Sequence, residues 1–386
     1  MITLQDIKQE FSKFIYLLDD HIIDVTMAVI VANRMAGDSL SMYIVGPSSS
    51  AKTEVIRSLI LYPHACHITK ITQNTLMSGY KEPGRKGENY SLLLELKKSG
   101  QNILVFKDFT TILSMHRDAR QELMSQIREL ADGYVCNYYG NRQVIKFQGN
   151  IGIIAACTNA LDEYTTVTEQ LGERFLKYRV TAEMGEDIVK KAMDSATEKE
   201  VARTTTSELV RDFLARFDIL PDLPRWEDGN IKYKVESLCI LAAHIRSQVI
   251  MDRMANVMHT PPVHEGPGRL GAAAQKLSYA LAIVQEKTTI DHGVYIILKK
   301  VIKDTVPQYR LKILEKLYEY KKLTTAELSR KVNFSYPSAK RYCEDLYVLE
   351  IITKKDYPGI KEHFWEILPE YISYIEKSEI FILDKF

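Results

Sequence analysis

The chain has 386 residues, with 51 Lys and Arg against 50 Asp and Glu, a formal net charge of +1. That length allows two or three domains of ordinary size, and the near-zero charge balance excludes a polyanion-binding surface over the whole molecule, so any nucleic-acid contact has to be local. No apolar stretch reaches the length of a membrane span, the opening MITLQDIKQEF does not read as a secretory signal, and the cysteines (Cys66, Cys136, Cys157, Cys239, Cys343) are scattered without paired spacing, which suits free thiols in a reducing cytoplasm rather than a metal or disulfide framework.

Residues 5–36 carry apolar positions at helical spacing and predict two helices. From Leu40 to about Val180, short apolar runs alternate with helical segments. Candidate strands are Met42–Val45, His67–Thr69, Ile103–Phe106, Ile151–Ala156 and Tyr178–Val180, a pattern that predicts a parallel α/β sheet covered by helices. Residues 182–305 read as all-helical, with long stretches at Val235–Met258 and Gly268–Gln285. A helix at Tyr309–Tyr320 then leads to Thr324-Thr-Ala-Glu327, a capping box that opens a second helix, and a turn at Asn333–Tyr336 leads to a third with Pro337 in its first turn. Two β-like segments, Leu349–Lys354 and His363–Leu368, complete a winged-helix pattern.

The motif richest in chemistry is Gly46-Pro47-Ser48-Ser49-Ser50-Ala51-Lys52-Thr53, directly after the first strand. It matches G-x-x-x-x-G-K-[ST] except that Ala51 stands for the second glycine. In such a loop, backbone N–H groups and a following helix N-terminus cradle phosphates, the lysine neutralises phosphate charge and the threonine hydroxyl ligates Mg²⁺. The strand Ile103–Phe106 ends in Lys107-Asp108-Phe109, followed by Arg117 and Glu122-Leu-Met124-Ser-Gln126. This run resembles the corresponding region of the minichromosome-maintenance branch of the AAA+ ATPases. In that register Lys107 replaces the Mg²⁺-linked Asp, and Asp108 replaces the water-activating Glu. Either Asp108 serves both roles, with Thr53 carrying the metal, or hydrolysis is slow.

The resemblance implies further site residues in the family's order. Asn159, with Thr158 in reserve, stands where the sensor-1 residue orients water. Arg174 in Leu171-Gly-Glu-Arg174-Phe175 resembles the arginine finger that reaches a neighbouring subunit's nucleotide, the competing reading being an ion pair with Glu169 or Glu173. Arg269 in Glu265-Gly-Pro-Gly-Arg269 resembles the phosphate-contacting sensor-2 residue. The implied architecture is N-terminal helices (1–38), an AAA+ α/β core with a pre-sensor-1 β-hairpin (39–181), an all-α lid (182–305), a winged helix (306–370) and a C-terminal tail (371–386).

Two alternating segments flank Tyr139-Gly-Asn-Arg142, a hairpin signal. The family places a DNA-contacting hairpin here, which makes Arg142 the tip contact and Lys146 its support. The loop Ser78–Gly87 is basic and glycine-rich. Residues 310–355 hold eleven Lys and Arg against six Asp and Glu, a local net of +5. Ser338, Lys340 and Arg341 on the presumed recognition helix and Lys354 and Lys355 on the wing are therefore candidate DNA contacts. The expectation is an ATP- and Mg²⁺-dependent DNA motor acting in replication or unwinding for a mobile element or phage, assembled as a homo-oligomeric ring, expected to be a hexamer. Roughly 40 residues precede the loop, which leaves no room for a DNA-encircling N-terminal domain and points to a loader or primase partner. A nucleotide-switched DNA-binding regulator and a protein-remodelling ATPase are the alternatives.

Overall fold

The structure is a computed structural model that describes residues 1–48, 50–78, 91–139, 144–162, 164, 174–181, 185–249, 251–252, 257–258, 264–356, 358 and 362–382. Two compact units divide the chain. The first holds Met1–Pro224 with Tyr279–Thr288, and the second holds Arg225–Ser278 with Thr289–Phe386.

The first unit opens with α1 (Leu4–Phe14), started by a capping box between Thr3 and Asp6 and buried along Ile7, Phe11 and Phe14. Helix α2 (His21–Ala32) is buried from Ile22 to Ala32, as befits a helix apolar on all sides. Its buried Asp24 is matched by Lys8 and by the Gln285 amide at 2.8 Å. Then come β1 (Ser41–Val45), α3 (Lys52–Arg57), β2 (Ala65–Ile68), α4 (Leu92–Ser99), β3 (Ile103–Phe106), α5 (Thr110–Leu113), α6 (Arg117–Ala131), β4 (Tyr134–Tyr138), β5 (Val144–Gln148), β6 (Gly152–Cys157), β7 (Phe175–Arg179), α7 (Glu186–Asp194) and α8 (Lys199–Ala215).

Five of these strands form a parallel sheet in the order β2-β3-β6-β1-β7. Its central strands are buried throughout, and helices flank it, so the core is α/β. Strands β4 and β5 pair antiparallel as a separate hairpin. The join from α2 into the sheet is made by Asn33. Its side chain donates to the carbonyls of Val29 and Leu40 and accepts from the Leu40 N–H, each at 2.8 Å. Gly152 lies against it, where a Cβ would come within 2.3 Å of Asn33 Nδ2.

The second unit contains β8 (Arg225–Trp226), α9 (Gly229–Arg246), β9 (Met251–Asp252), β10 (Val257–Met258), most of α10 (Gly268–Val284), β11 (Thr289–Ile290), α11 (His292–Thr305), α12 (Gln308–Tyr320), β12 (Lys322–Thr324), α13 (Thr325–Val332), α14 (Tyr336–Val348), β13 (Ile352–Lys355), β14 (Phe364–Ile367) and α15 (Pro369–Ser378). A three-stranded antiparallel sheet, β12-β14-β13, brackets α13 and α14 in the chain and precedes α15. The Thr324–Glu327 capping box and Pro337 in the first turn of α14 form as read, and Ser335 caps α14 by accepting from the Ser338 N–H.

Three expectations are corrected. Val235–Met258 is not one helix. Helix α9 stops at Arg246, where Ser247 turns to ψ 146°, and buried Arg310 donates to the Ile245 and Ser247 carbonyls, both at 2.8 Å, and satisfies the helix end. Beyond it, β9 and β10 pair as a short ladder. Residues 371–386 are not simply a tail: Pro369 starts α15, which buries Tyr371 and Ile375 one turn apart, and the Tyr371 hydroxyl meets His244 Nδ1 at 3.0 Å. The stretch 182–305 is also not one helical body, since α7 and α8 belong to the first unit and α9 and α11 to the second, and it contains short strands. No helix among the described residues is long and apolar enough to cross a membrane.

Because Gly152 has no room for a methyl beside Asn33, Gly152→Ala should destabilise the protein by about 1–3 kcal/mol. A urea titration would read this as a lower midpoint, and an unchanged midpoint would mean that the join is loosely packed.

Candidate functional site

All strands of a parallel sheet end at the same edge, so the loops after β1, β3 and β6 meet there. From β1 the chain moves toward the β2 edge, and from the neighbouring β6 it moves toward β7. The crevice between the ends of β1 and β6 is therefore a topological switch point, where open α/β sheets bind ligands. The Gly46–Thr53 loop occupies it.

The loop is pinned at its first residue. The Gly46 N–H donates to the Cys157 carbonyl at 3.2 Å, and the Val180 N–H donates to the Val45 carbonyl at 2.8 Å. A Cβ on Gly46 would meet Ser50 Oγ at 3.0 Å and Val180 Cβ at 3.2 Å, so the close approach requires glycine. Pro47, Ser48 and Thr53 are exposed, and Ser50 and Ala51 are half-buried. Ser49 lies outside the described residues. Lys52 is only 6% exposed. Its ammonium donates to the Gly46 carbonyl at 2.8 Å, to Ser50 Oγ at 2.9 Å and to the Pro47 carbonyl. Burial pushes the Lys52 ammonium below its ordinary value, and the Asp108 carboxylate pulls the other way. The loop thus folds its own oxygens around the lysine, a set of acceptors that phosphate oxygens can replace.

The acidic segment lies at the same edge. Lys107 and Asp108 are exposed just past β3. The Phe109 N–H donates to the Ala156 carbonyl at 2.8 Å, which draws the segment toward β6. Asp108 Oδ1 accepts from the Thr110 N–H at 2.9 Å. The Thr110 hydroxyl in turn meets the Thr158 hydroxyl at 3.5 Å and accepts from the Thr158 N–H at 3.4 Å. Of the two polar residues after β6, Thr158 is therefore the one tied to the acidic segment. Asn159 is exposed and begins a 3-10 turn that ends at Asp162.

A cavity of about 390 Å³ adjoins the loop. Ser50, Ala51, Thr53 and Glu54 wall one side; Phe14 to Asp19, Tyr178 and Val180 wall another; Ile188, Lys191 and Lys199 close it. Tyr178 donates its hydroxyl to Asp19 at 2.6 Å. The sequence reading missed Ile15–Asp19. Its signal was an apolar run, Ile15 to Leu18, that continues past the end of α1 without helical periodicity. It also missed the partners of Glu54, the residue after Thr53. Arg203 of α8 binds Glu54 through two hydrogen bonds, one of them 2.8 Å, and Lys199 approaches at 3.4 Å. Nothing local in the sequence joins residues that far apart.

Arg174 makes a bidentate pair with Asp132, both bonds 2.8 Å. Asp132 lies between α6 and the β4–β5 hairpin, and Glu169 and Glu173 lie outside the described residues. Arg179, at the end of β7, pairs likewise with Asp162 at 2.7 Å. Arg269 stands in the first turn of α10, in the second unit. Before it, Glu265 is held by buried Arg246 at 2.7 Å.

Among the candidate DNA contacts, Lys146 is exposed on β5 opposite Cys136, and Arg142 lies outside the described residues, as does most of the 78–87 loop. On α14, Lys340 faces Glu344 at 3.8 Å and Arg341 lies 5.4 Å from the Tyr342 ring centre. The Ser338 hydroxyl and N–H are engaged by the Ser335 cap. On β13, Lys354 lies over the Trp365 ring and Lys355 pairs with Glu366 at 2.6 Å. All five cysteines are free thiols.

No known protein family and no curated protein matches the chain significantly.

Burial alone would raise the Glu54 pKa, but the Arg203 and Lys199 charges outweigh it and hold the carboxyl below its ordinary value of 4.5. The network's contribution is therefore complete above pH 4.5 and is lost as the pH falls through the lower folded-state value. Glu54→Gln should cost about 1–2 kcal/mol at neutral pH. The gap between variant and wild type should narrow below pH 4.5 in thermal unfolding, and a gap independent of pH would exclude the ionised carboxylate as its source.

Proposed function

We propose that this chain is an ATP-hydrolysing subunit of AAA+ type, resembling the minichromosome-maintenance helicases, that works on DNA as part of a ring. One observation carries the reading: a lysine wrapped by its own loop's oxygens, a threonine and a carboxylate lie at one edge of a parallel sheet, and a 390 Å³ cavity adjoins the loop on its β7 side. The donor set fits a nucleoside triphosphate. Lys52 and the N–H groups of the Gly46–Thr53 loop would hold the phosphates, and the cavity beside Ile15–Asp19 would take base and ribose. The Thr53 hydroxyl and the Asp108 carboxylate are hard oxygen donors suited to Mg²⁺, which supplies charge neutralisation on the phosphates when bound.

The protein's own chemistry is positioning. Asp108, oriented by the Thr110 N–H, is the group that would polarise the attacking water. The Thr158 and Thr110 hydroxyls hold the acidic segment against the end of β6 and fix its distance from the loop. Arg174 would stabilise developing charge on a neighbouring subunit's nucleotide. Asp132 fixes its guanidinium and joins it to the root of the hairpin. Helices α12 to α14 with β12-β14-β13 fit a winged helix, whose Lys340, Arg341, Lys354 and Lys355 would meet DNA phosphates.

A second reading, a nucleotide-switched DNA-binding regulator with slow turnover, is favoured by exposed Lys107 in place of an acid and by Asp108 accepting from its own turn. Steady-state hydrolysis with and without DNA separates the two. The motor reading expects DNA-stimulated turnover that Asp108→Asn abolishes, by about 100-fold or more, while ATP binding is kept. Arg174→Ala should lose turnover and regain it in rings mixed with Asp108→Asn subunits. ATP binding without turnover would leave the switch reading, and turnover unchanged in Asp108→Asn would remove Asp108 from the chemistry.

A further inference from the structure

The sheet order puts β1 between β6 and β7, so the Gly46–Thr53 loop leaves β1 between the ends of two neighbouring strands. Arg179 stands beside that exit, in register with Val45, the residue before the loop. Its guanidinium donates through Nη1 and Nη2 to the two carboxylate oxygens of Asp162, each at 2.7 Å. Asp162 ends the 3-10 turn that starts at Asn159, just past β6. One ion pair therefore joins the segment after β6 to the end of β7, past the end of the strand that lies between them. The turn is held elsewhere as well. The Thr158 N–H donates to the Thr110 hydroxyl, and fully buried Leu161 donates its N–H to the Thr158 carbonyl at 3.1 Å. Side chains alternate along β7, so Phe175 and Arg179 share one face and Tyr178 takes the other. Tyr178 walls the cavity, and Arg179 holds the turn. The Arg179 side chain is 15% exposed and that of Asp162 34%. A pair so placed adds little stability by itself, whereas its fork fixes angle as well as distance.

We propose that Arg179 and Asp162 are a positioning pair for hydrolysis: they set the Thr158–Asp162 turn against the phosphate loop and so fix where Thr158 and Asn159 stand relative to the reacting phosphate. This role rests on the nucleotide reading above and adds to it two residues outside the loop and the acidic segment. Because neither belongs to the loop, losing the pair shifts the turn and leaves the phosphate-holding groups in place. A displacement of about 1 Å in such a site costs up to about 100-fold in rate. The effect therefore falls on turnover rather than on binding. The role requires arginine, because lysine is a point charge that would keep the attraction to Asp162 and lose the two-pronged alignment.

The test uses the full chain. Without nucleotide, backbone hydrogen exchange over residues 159–162 should be faster in Arg179→Lys than in the wild type and unchanged along α3. With Mg·ATP, Arg179→Lys and Asp162→Asn should each lower kcat about 10-fold or more, while the affinity for Mg·ATP and the thermal midpoint stay at wild-type values. The two substitutions combined should cost no more than either alone, since they break one interaction. Wild-type kcat in Arg179→Lys overturns the proposal, and so do losses that add up in the double variant. A fall in kcat matched by a fall in ATP affinity overturns it too, by making Arg179 a phosphate contact. So does a lower thermal midpoint with unchanged exchange at the turn, which would make the pair a stability element. A wild-type chain that binds Mg·ATP without turnover overturns the hydrolytic reading and this role together, whereas wild-type turnover that survives both substitutions overturns this role alone.

Discussion

The site depends on the clamping of β1 between β6 and β7. Val45 is in register with Cys157 on one side and Arg179 on the other, so the chain leaves the sheet at Gly46 with its position already fixed. The bond from the Gly46 N–H to the Cys157 carbonyl extends the ladder one residue into the loop. Everything else of chemical interest at this edge is placed relative to that point. The acidic segment is drawn to β6 by Phe109, Thr158 is held by Thr110, and the cavity opens on the far side of the loop.

That clamp has costs that the surrounding structure must offset. Lys52 is a buried cation, and burying a charge is unfavourable unless it is fully hydrogen-bonded. Two loop carbonyls and a serine hydroxyl meet this need. Tyr43 on β1 stacks on Phe175 at 4.3 Å and meets Phe109 edge-on at 5.0 Å, so the residues before and after the site are packed into one aromatic cluster. Helix α2, buried along its length, backs the same unit. A rigid scaffold thus carries loops whose donors are arranged before any ligand arrives, the condition under which electrostatic stabilisation costs least.

Much of this was legible in the sequence, because it rests on local patterns. The strand Ile103–Phe106 was read residue for residue, and the capping box at Thr324 and the hairpin around Tyr139 follow from short-range rules. What escaped was non-local. One partner of Arg174 is Asp132, a turn residue brought near only by the fold. The carbonyls at the end of α9 are satisfied by Arg310, more than sixty residues further on. The residues of α15 beyond 370 were read as a tail, although Pro369 in the first helical turn is a start signal. The cavity wall at Ile15–Asp19 carries no motif at all, since apolar contacts with a ligand need only size and shape.

The central claim is that the Gly46–Thr53 loop is a nucleotide phosphate site. Isothermal titration of Mg·ATP into the wild-type protein and Lys52→Ala tests it most directly. The account predicts saturable binding by the wild type and a loss of about 10-fold or more in the variant, the worth of a charge-assisted contact to phosphate. Equal affinity in both proteins, or no heat of binding in either, would contradict it.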